Sequence, residues 1–212
     1  MPEYDRLINS TDWIDLDFVE RERTPRRIIE TGIQLHLAGL SLSNTKQIVE
    51  TLGVERSRTA VHNWVKKADR TPAVDETPRE TALDETVIGV DGHRQWLFAA
   101  VDPATNDILH ARLFQARTTE RTLLFLRELD AAYALDQGTF LIDSAQSLRS
   151  ALARLGLRFQ TLRHGNRNSA ERVFREVKRR TSSFSNTFRN AHLDTVDSWL
   201  RAFAVWHNSC YS

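Results

Sequence analysis

Cysteine is almost missing from this chain of 212 residues, where Cys210 stands alone beside the C-terminus. A single cysteine cannot close an internal disulfide, which fits a reducing compartment. With no cluster of cysteine and histidine at ligand spacing, a structural zinc site is excluded. Long apolar runs are missing too: none reaches the roughly 20 residues needed to cross a bilayer. No charged-then-apolar leader opens the chain, so a soluble protein that stays in the cytoplasm is expected. Lysine is scarce, with 4 residues against 25 arginines. Arginine suits bidentate contacts with phosphate, although the base composition of a genome produces the same bias.

What is present is ordinary in amount and unusual in placement. At 41% apolar and 27% charged the chain is globular, long enough for one medium domain and a small one. Its net charge of +1 hides a segregation. Between residues 145 and 190 lie eleven cations and only two acids, Glu171 and Glu176, a local excess of nine positive charges. Such a field attracts a polyanion and speeds its encounter.

The first third reads as helical. Residues 1–27 are charged and weakly periodic, with Trp13, Ile14, Leu16, Phe18 and Val19 as a short apolar patch. Pro25 precedes a helix expected over 26–40. Ser43 or Asn44 can cap the next, through Leu52, with Gly53 ending it. A third helix, 58–68, buries Val61, Trp64, Val65 and Ala68 at i, i+3, i+4, i+7. Its other face offers Arg58, Thr59, His62, Asn63 and Lys66, with Arg56 just before it. Helix, glycine turn and a helix with outward donors form a helix-turn-helix pattern over about 43–68, whose second helix enters the major groove of DNA. An ordinary helical hairpin with a solvated face shows nearly the same pattern. Residues 1–70 are therefore expected to form a DNA-binding unit, and 71–81, with two prolines within DRTPAVDETPRET, a linker.

From residue 82 the character changes. Strands are expected over 83–90, 95–101 and 108–114, with turns at Asp91-Gly92 and DPATN between them. A helix capped by Thr118 or Thr119 follows to about 134, then a buried strand over 139–142 and a helix over 145–155. A fifth strand over 157–162 precedes a helix over 166–180, and a last helix spans 193–206. The order βββαβαβα, an α/β mixed sheet after a small helical unit, is the ribonuclease-H-like topology, expected over 82–212.

That topology gathers three acids. Asp84 lies in the first strand and Asp143 at the end of the fourth, which would lie parallel beside it. Glu171 opens the helix NRNSAERVFREVKRR, whose Ala170, Val173, Phe174 and Val177 form one buried stripe. Lys178 follows Glu171 by seven residues, about 10 Å along the axis and close in angle. Three clustered carboxylates repel one another, and a divalent cation with hard oxygen ligands, magnesium or manganese, removes that penalty. Two such ions serve in-line phosphodiester displacement. Arg175 and Arg179 beside Lys178 are candidate DNA contacts, and His164 and Asn166 precede the helix in a loop. Glu85 points to the opposite face, while Asp91, Asp102 and Asp107 read as turn or strand-end residues. Singly, each of the three acids could be a strand or helix cap; jointly they fall where the topology converges.

At LDETVI, WLFAAVDP, FLIDSA and HGNRNSAERVFREVKRRTSSF the sequence resembles the DDE transposases of the insertion-sequence-six family. The resemblance implies that Asp84, Asp143 and Glu171 are catalytic and bind the metals, and that Lys178 lies near the DNA. It implies terminal-inverted-repeat recognition by the first domain, strand cleavage and strand transfer on element ends and target DNA, and a homo-oligomer of at least two copies. The 27 residues between Asp143 and Glu171 are fewer than that family usually has, as a trimmed surface connection would leave. Two other readings compete: a non-catalytic helix-turn-helix regulator, and a ribonuclease-H-like nuclease without strand transfer.

Overall fold

The structure, a computed structural model, describes Ile14, Leu16, 23–68, Pro72, 77–162, 168–183, Phe188 and 191–211. Trp13, Phe18, Val19, His164, Asn166 and residues 71 and 73–76 of the expected linker lie outside the described residues. The chain opens with three helices, α1 (Arg26–Leu37), α2 (Leu42–Thr51) and α3 (Arg58–Lys67). Ser41 and Ser57 cap α2 and α3 by accepting from Asn44 N–H and Ala60 N–H, so the α2 cap lies two residues before the expected Ser43. Gly53, at φ 85°, supplies the left-handed turn between them. Gly32 lets α1 approach α3, since a Cβ there would stand 3.0 Å from the Trp64 ring. Three helices so arranged fit a helix-turn-helix.

The second part is a sheet of β1 (Glu80–Val90), β2 (His93–Val101), β3 (Ile108–Phe114), β4 (Thr139–Ile142) and β5 (Phe159–Thr161). Its order is β3-β2-β1-β4-β5, with β1–β2 and β2–β3 antiparallel and β1–β4 and β4–β5 parallel. Among the described residues this is the ribonuclease-H-like arrangement that the element order predicts. Asp91 and Gly92, both at positive φ, close the first hairpin tightly. Two differences stand out. β1 begins at Glu80, inside the stretch read as linker, because its start pairs with β4 at Thr139. β5 is shorter than expected, since it pairs only with β4 and then leaves the sheet.

Alternation along the strands divides the core. Ala82, Ile88, Val90, Leu97, Ala99 and Val101 face α6 (Asn168–Ser183) and α7 (Leu193–Tyr211). Leu83, Phe98, Ala100, Phe140 and Ile142 face α4 (Thr119–Asp130) and α5 (Gln146–Arg154). Thr118 caps α4, which stops at Asp130 rather than 134 and gives way to a 3-10 turn, Leu135–Gln137.

The edge strand β3 is covered by α7, which outlasts its expected end at 206. Asn208 accepts from Ile108 N–H at 2.8 Å and donates to its carbonyl at 3.1 Å, while Asp197 accepts from Leu113 N–H at 2.9 Å. Eleven helical residues rise about 16 Å, and five strand residues span about 17 Å, so α7 runs antiparallel to β3 with matched steps. An edge that would otherwise invite pairing with another chain is thereby closed.

Candidate active site

Asp84 lies midway along the central strand, on the face it shares with Ala82, Thr86 and Ile88. Its carboxylate is buried, and Oδ1 accepts from Glu85 N–H at 2.9 Å. Asp143 directly follows β4 and is half-buried; its Oδ1 accepts from Ala145 N–H at 2.7 Å, fixing the turn into α5. The parallel register pairs Ala82 with Leu141. Two residues further along each chain stand Asp84 and Asp143, on strands spaced about 4.8 Å apart. Parity puts both on the α6 side of the sheet.

The helix α6 lies over β1 and β2 through Ala170, Val173, Phe174 and Val177. Lys178 Nζ donates to Thr86 Oγ1 at 2.7 Å, one pleat from Asp84, and Arg172 donates to Asn106 Oδ1 at 2.6 Å. These two contacts set α6 alongside β1, running in the same sense. Glu171 occupies the first turn and is exposed. Arg175 and Arg179 are exposed as well, with Arg179 paired to Glu176 at 3.0 Å.

The structure thus brings Asp84 and Asp143 together and sets Lys178 beside them, while Glu171 stands on the covering helix. Among the described residues no three acids, histidines or cysteines are placed to hold one ion jointly. The two aspartates still fit a divalent metal in chemistry. Both offer hard carboxylate oxygens, and both are anchored by backbone N–H groups at ordered positions.

One group that matters here is not marked by spacing. Glu85 does face away from Asp84, yet its side chain is only 1% exposed, and it forms an ion pair with Arg117. Arg117 in turn lies 5.3 Å from the centre of the Trp96 ring. Burial raises the Glu85 carboxyl to about 7; Arg117 opposes the rise, and Asp84 and Asp143 add to it. Asp84, Glu85 and Asp143 therefore share one electrostatic neighbourhood through the sheet. The available signal was an acid on the inward face of a central strand, flanked by Leu83 and Val87.

On α3, Arg58, Thr59, Asn63 and Lys66 are exposed and His62 is half-buried. Arg56 has an internal task as well: its Nε donates to Thr24 Oγ1 at 2.6 Å, tying the turn to the start of α1.

Comparison with known proteins supplies the context for this geometry. A family described as a DDE domain matches residues 79–210. An uncharacterized protein of Methanocaldococcus jannaschii is 30% identical over 199 residues, covering 90% of this chain and 92% of its own. Among solved structures, the integrase catalytic core of HTLV-2, in a complex with magnesium, aligns with a TM-score of 0.45 and 13% identity, covering 62% of this chain and 86% of that one. A simian T-cell lymphotropic virus intasome bound to a PP2A regulatory subunit aligns at 0.47 and 15%, covering 81% and 66%.

Proposed function

Because this chain belongs to the DDE transposases, whose domain spans most of it, we propose that it cleaves DNA at the ends of an insertion sequence and joins them to a target. The observation that supports this reading most is the juxtaposition of Asp84 and Asp143 across β1 and β4, with Lys178 fixed on the same face.

In this reading Asp84 and Asp143, with Glu171 brought in from α6, hold two magnesium or manganese ions. Bound there, the ions would acidify the attacking hydroxyl and stabilise the leaving oxygen. The chain's own groups do the positioning. Backbone N–H groups of Glu85 and Ala145 each bind one carboxylate oxygen and orient the other toward the DNA. Lys178, Arg175 and Arg179 contact phosphates along the cut strand, where cations fix register without reading sequence. The exposed face of α3, with Arg56, Arg58, Thr59, His62, Asn63 and Lys66, reads the terminal inverted repeat in the major groove. Water first breaks a P–O bond to free a 3′ hydroxyl. That hydroxyl then attacks a target phosphodiester, forming one P–O bond as another breaks. Two ends must be handled together, so at least a dimer assembles on DNA. No described helix is long and apolar enough to cross a membrane. With its sole cysteine reduced, the chain would work in the cytoplasm. The division at about residue 70, a DNA-reading unit before and a catalytic unit after a linker over 71–81, belongs to the same proposal.

A regulator that only binds DNA is the second reading, favoured by the exposed position of Glu171. Purified protein, magnesium and a labelled duplex carrying an element end decide between them. Joined products are expected, and binding without cleavage overturns the enzymatic reading. Cleavage without joining would mark a nuclease. Asp143→Asn should lower joining by more than about a hundredfold, since removing groups that merely orient a metal ligand already costs roughly 10–100-fold. Duplex binding should stay within about twofold.

A further inference from the structure

We propose that the helix-turn-helix unit and the carboxylate-bearing sheet are one rigid body, so that the fold fixes the separation between the DNA-reading face and Asp84 and Asp143. The inference rests on the proposed function for its consequence on DNA, and on packing for the rigidity.

The pivot is α7. A helix with one core usually buries one stripe and shows solvent the rest. Here Val196, Ser198, Trp199, Leu200, Ala202, Phe203, Ala204, Trp206, His207 and Asn208 are all buried, which covers nearly the whole circumference. On one side Asp197 and Asn208 bind the backbone of β3. On another, α7 contacts α1 and α3. Ile29, Ile33, Leu37, Val61 and Trp64 belong to the same apolar cluster as Val196, Trp199, Leu200 and Phe203. Trp199 and Phe203 stack at 5.2 Å within it. The first three helices therefore have no closed core of their own; they complete one that continues under the sheet.

Units on a tether move relative to one another unless their interface is large and apolar. This interface is apolar and continuous with the main core, and prising it open would expose tryptophan and phenylalanine faces to water. Docking leaves the opposite face of α3 uncovered, with Arg58, Thr59, Asn63 and Lys66 exposed. Each base pair inserted between a recognised sequence and a cut site moves the phosphate by about 3.4 Å and rotates it about the helix axis. Misplacement of even about 1 Å costs on the order of a hundredfold in rate. A rigid chain is therefore a ruler, and spacing becomes a determinant of its specificity.

Two measurements test this. The sole cysteine, Cys210, lies exposed on α7, and Gln47 is exposed on α2. Spin labels on Cys210 and on Gln47→Cys, with the labelled chain diluted in an excess of unlabelled protein so that only distances within one chain are read, should give one narrow distance distribution by pulsed electron resonance, unchanged by added duplex. A broad or two-peaked distribution overturns the proposal. In the second, 1–10 base pairs are inserted between the repeat and its end. Cutting at the original end should fall at least tenfold for every insertion. Undiminished cutting there across the series also overturns it. The spin-label distances need no DNA. A narrow distribution in a protein that cuts no duplex therefore supports the rigid body and removes only the enzymatic reading.

Discussion

Two aspartates meet because a strand pair places them, and the residues around them explain both their position and their company. Asp84 and Asp143 were legible from sequence, since each sits where an apolar strand is interrupted by an acid. Glu85 was legible only as to its face: alternation says where a side chain points, but burial against Arg117 and Trp96 depends on strands and loops distant in sequence. His36 was silent for the same reason. It is buried on α1, with Nδ1 2.9 Å from the Leu40 carbonyl. Burial lowers it to about 4, the Leu40 carbonyl opposing and His62 assisting. His110 is also lowered to about 4, by burial and then by Arg112 and Arg201, with Asp197 opposing. Its contact with Glu128 at 3.1 Å is therefore a hydrogen bond from an uncharged imidazole near pH 7 rather than an ion pair. The sign follows: the unfolded chain takes up these protons near pH 6.5 and the folded chain only near 4. Stability is thus lost as pH falls through that window, by about 2 kcal/mol per histidine at pH 5. Urea unfolding at pH 7 and pH 5 should show the loss, and His36→Gln should remove about half of it. An unchanged pH dependence in that variant would count against the assignment.

At the scale of elements, periodicity and caps located nearly every helix and strand, because each buries one face and α2, α3 and α4 begin at a serine or threonine cap. Ends were less legible. The start of β1 at Glu80 is set by pairing with Thr139, and the extension of α7 to Tyr211 by Asn208 reaching β3. Neither partner can be read from the local sequence. The α7–β3 seam makes its own prediction. Asn208→Leu strands the N–H and carbonyl of Ile108 in a buried place, and each such group costs about 1–3 kcal/mol. Denaturant unfolding should therefore show a loss of about 3 kcal/mol. A loss under about 1 kcal/mol would mean that the edge strand does not depend on that side chain.

At the scale of the whole molecule, the sequence marks a connecting stretch but not how the parts on either side of it pack. A linker composition around residue 75 reads as a separation, yet the apolar cluster runs from α1 and α3 through α7 to the sheet. Linker composition reports on the connecting chain alone, whereas docking is decided by α7, more than a hundred residues further on. One shared core predicts one unfolding transition. Tryptophan fluorescence, which samples Trp64 in the first unit and Trp199 in the second, should coincide with loss of helical circular dichroism. Two separated transitions would show independent units. The paired aspartates face their most direct test in a crystal of the protein soaked with manganese. Anomalous density should appear between the carboxylates of Asp84 and Asp143, with Glu171 drawn to it; density elsewhere, or none, would contradict the site.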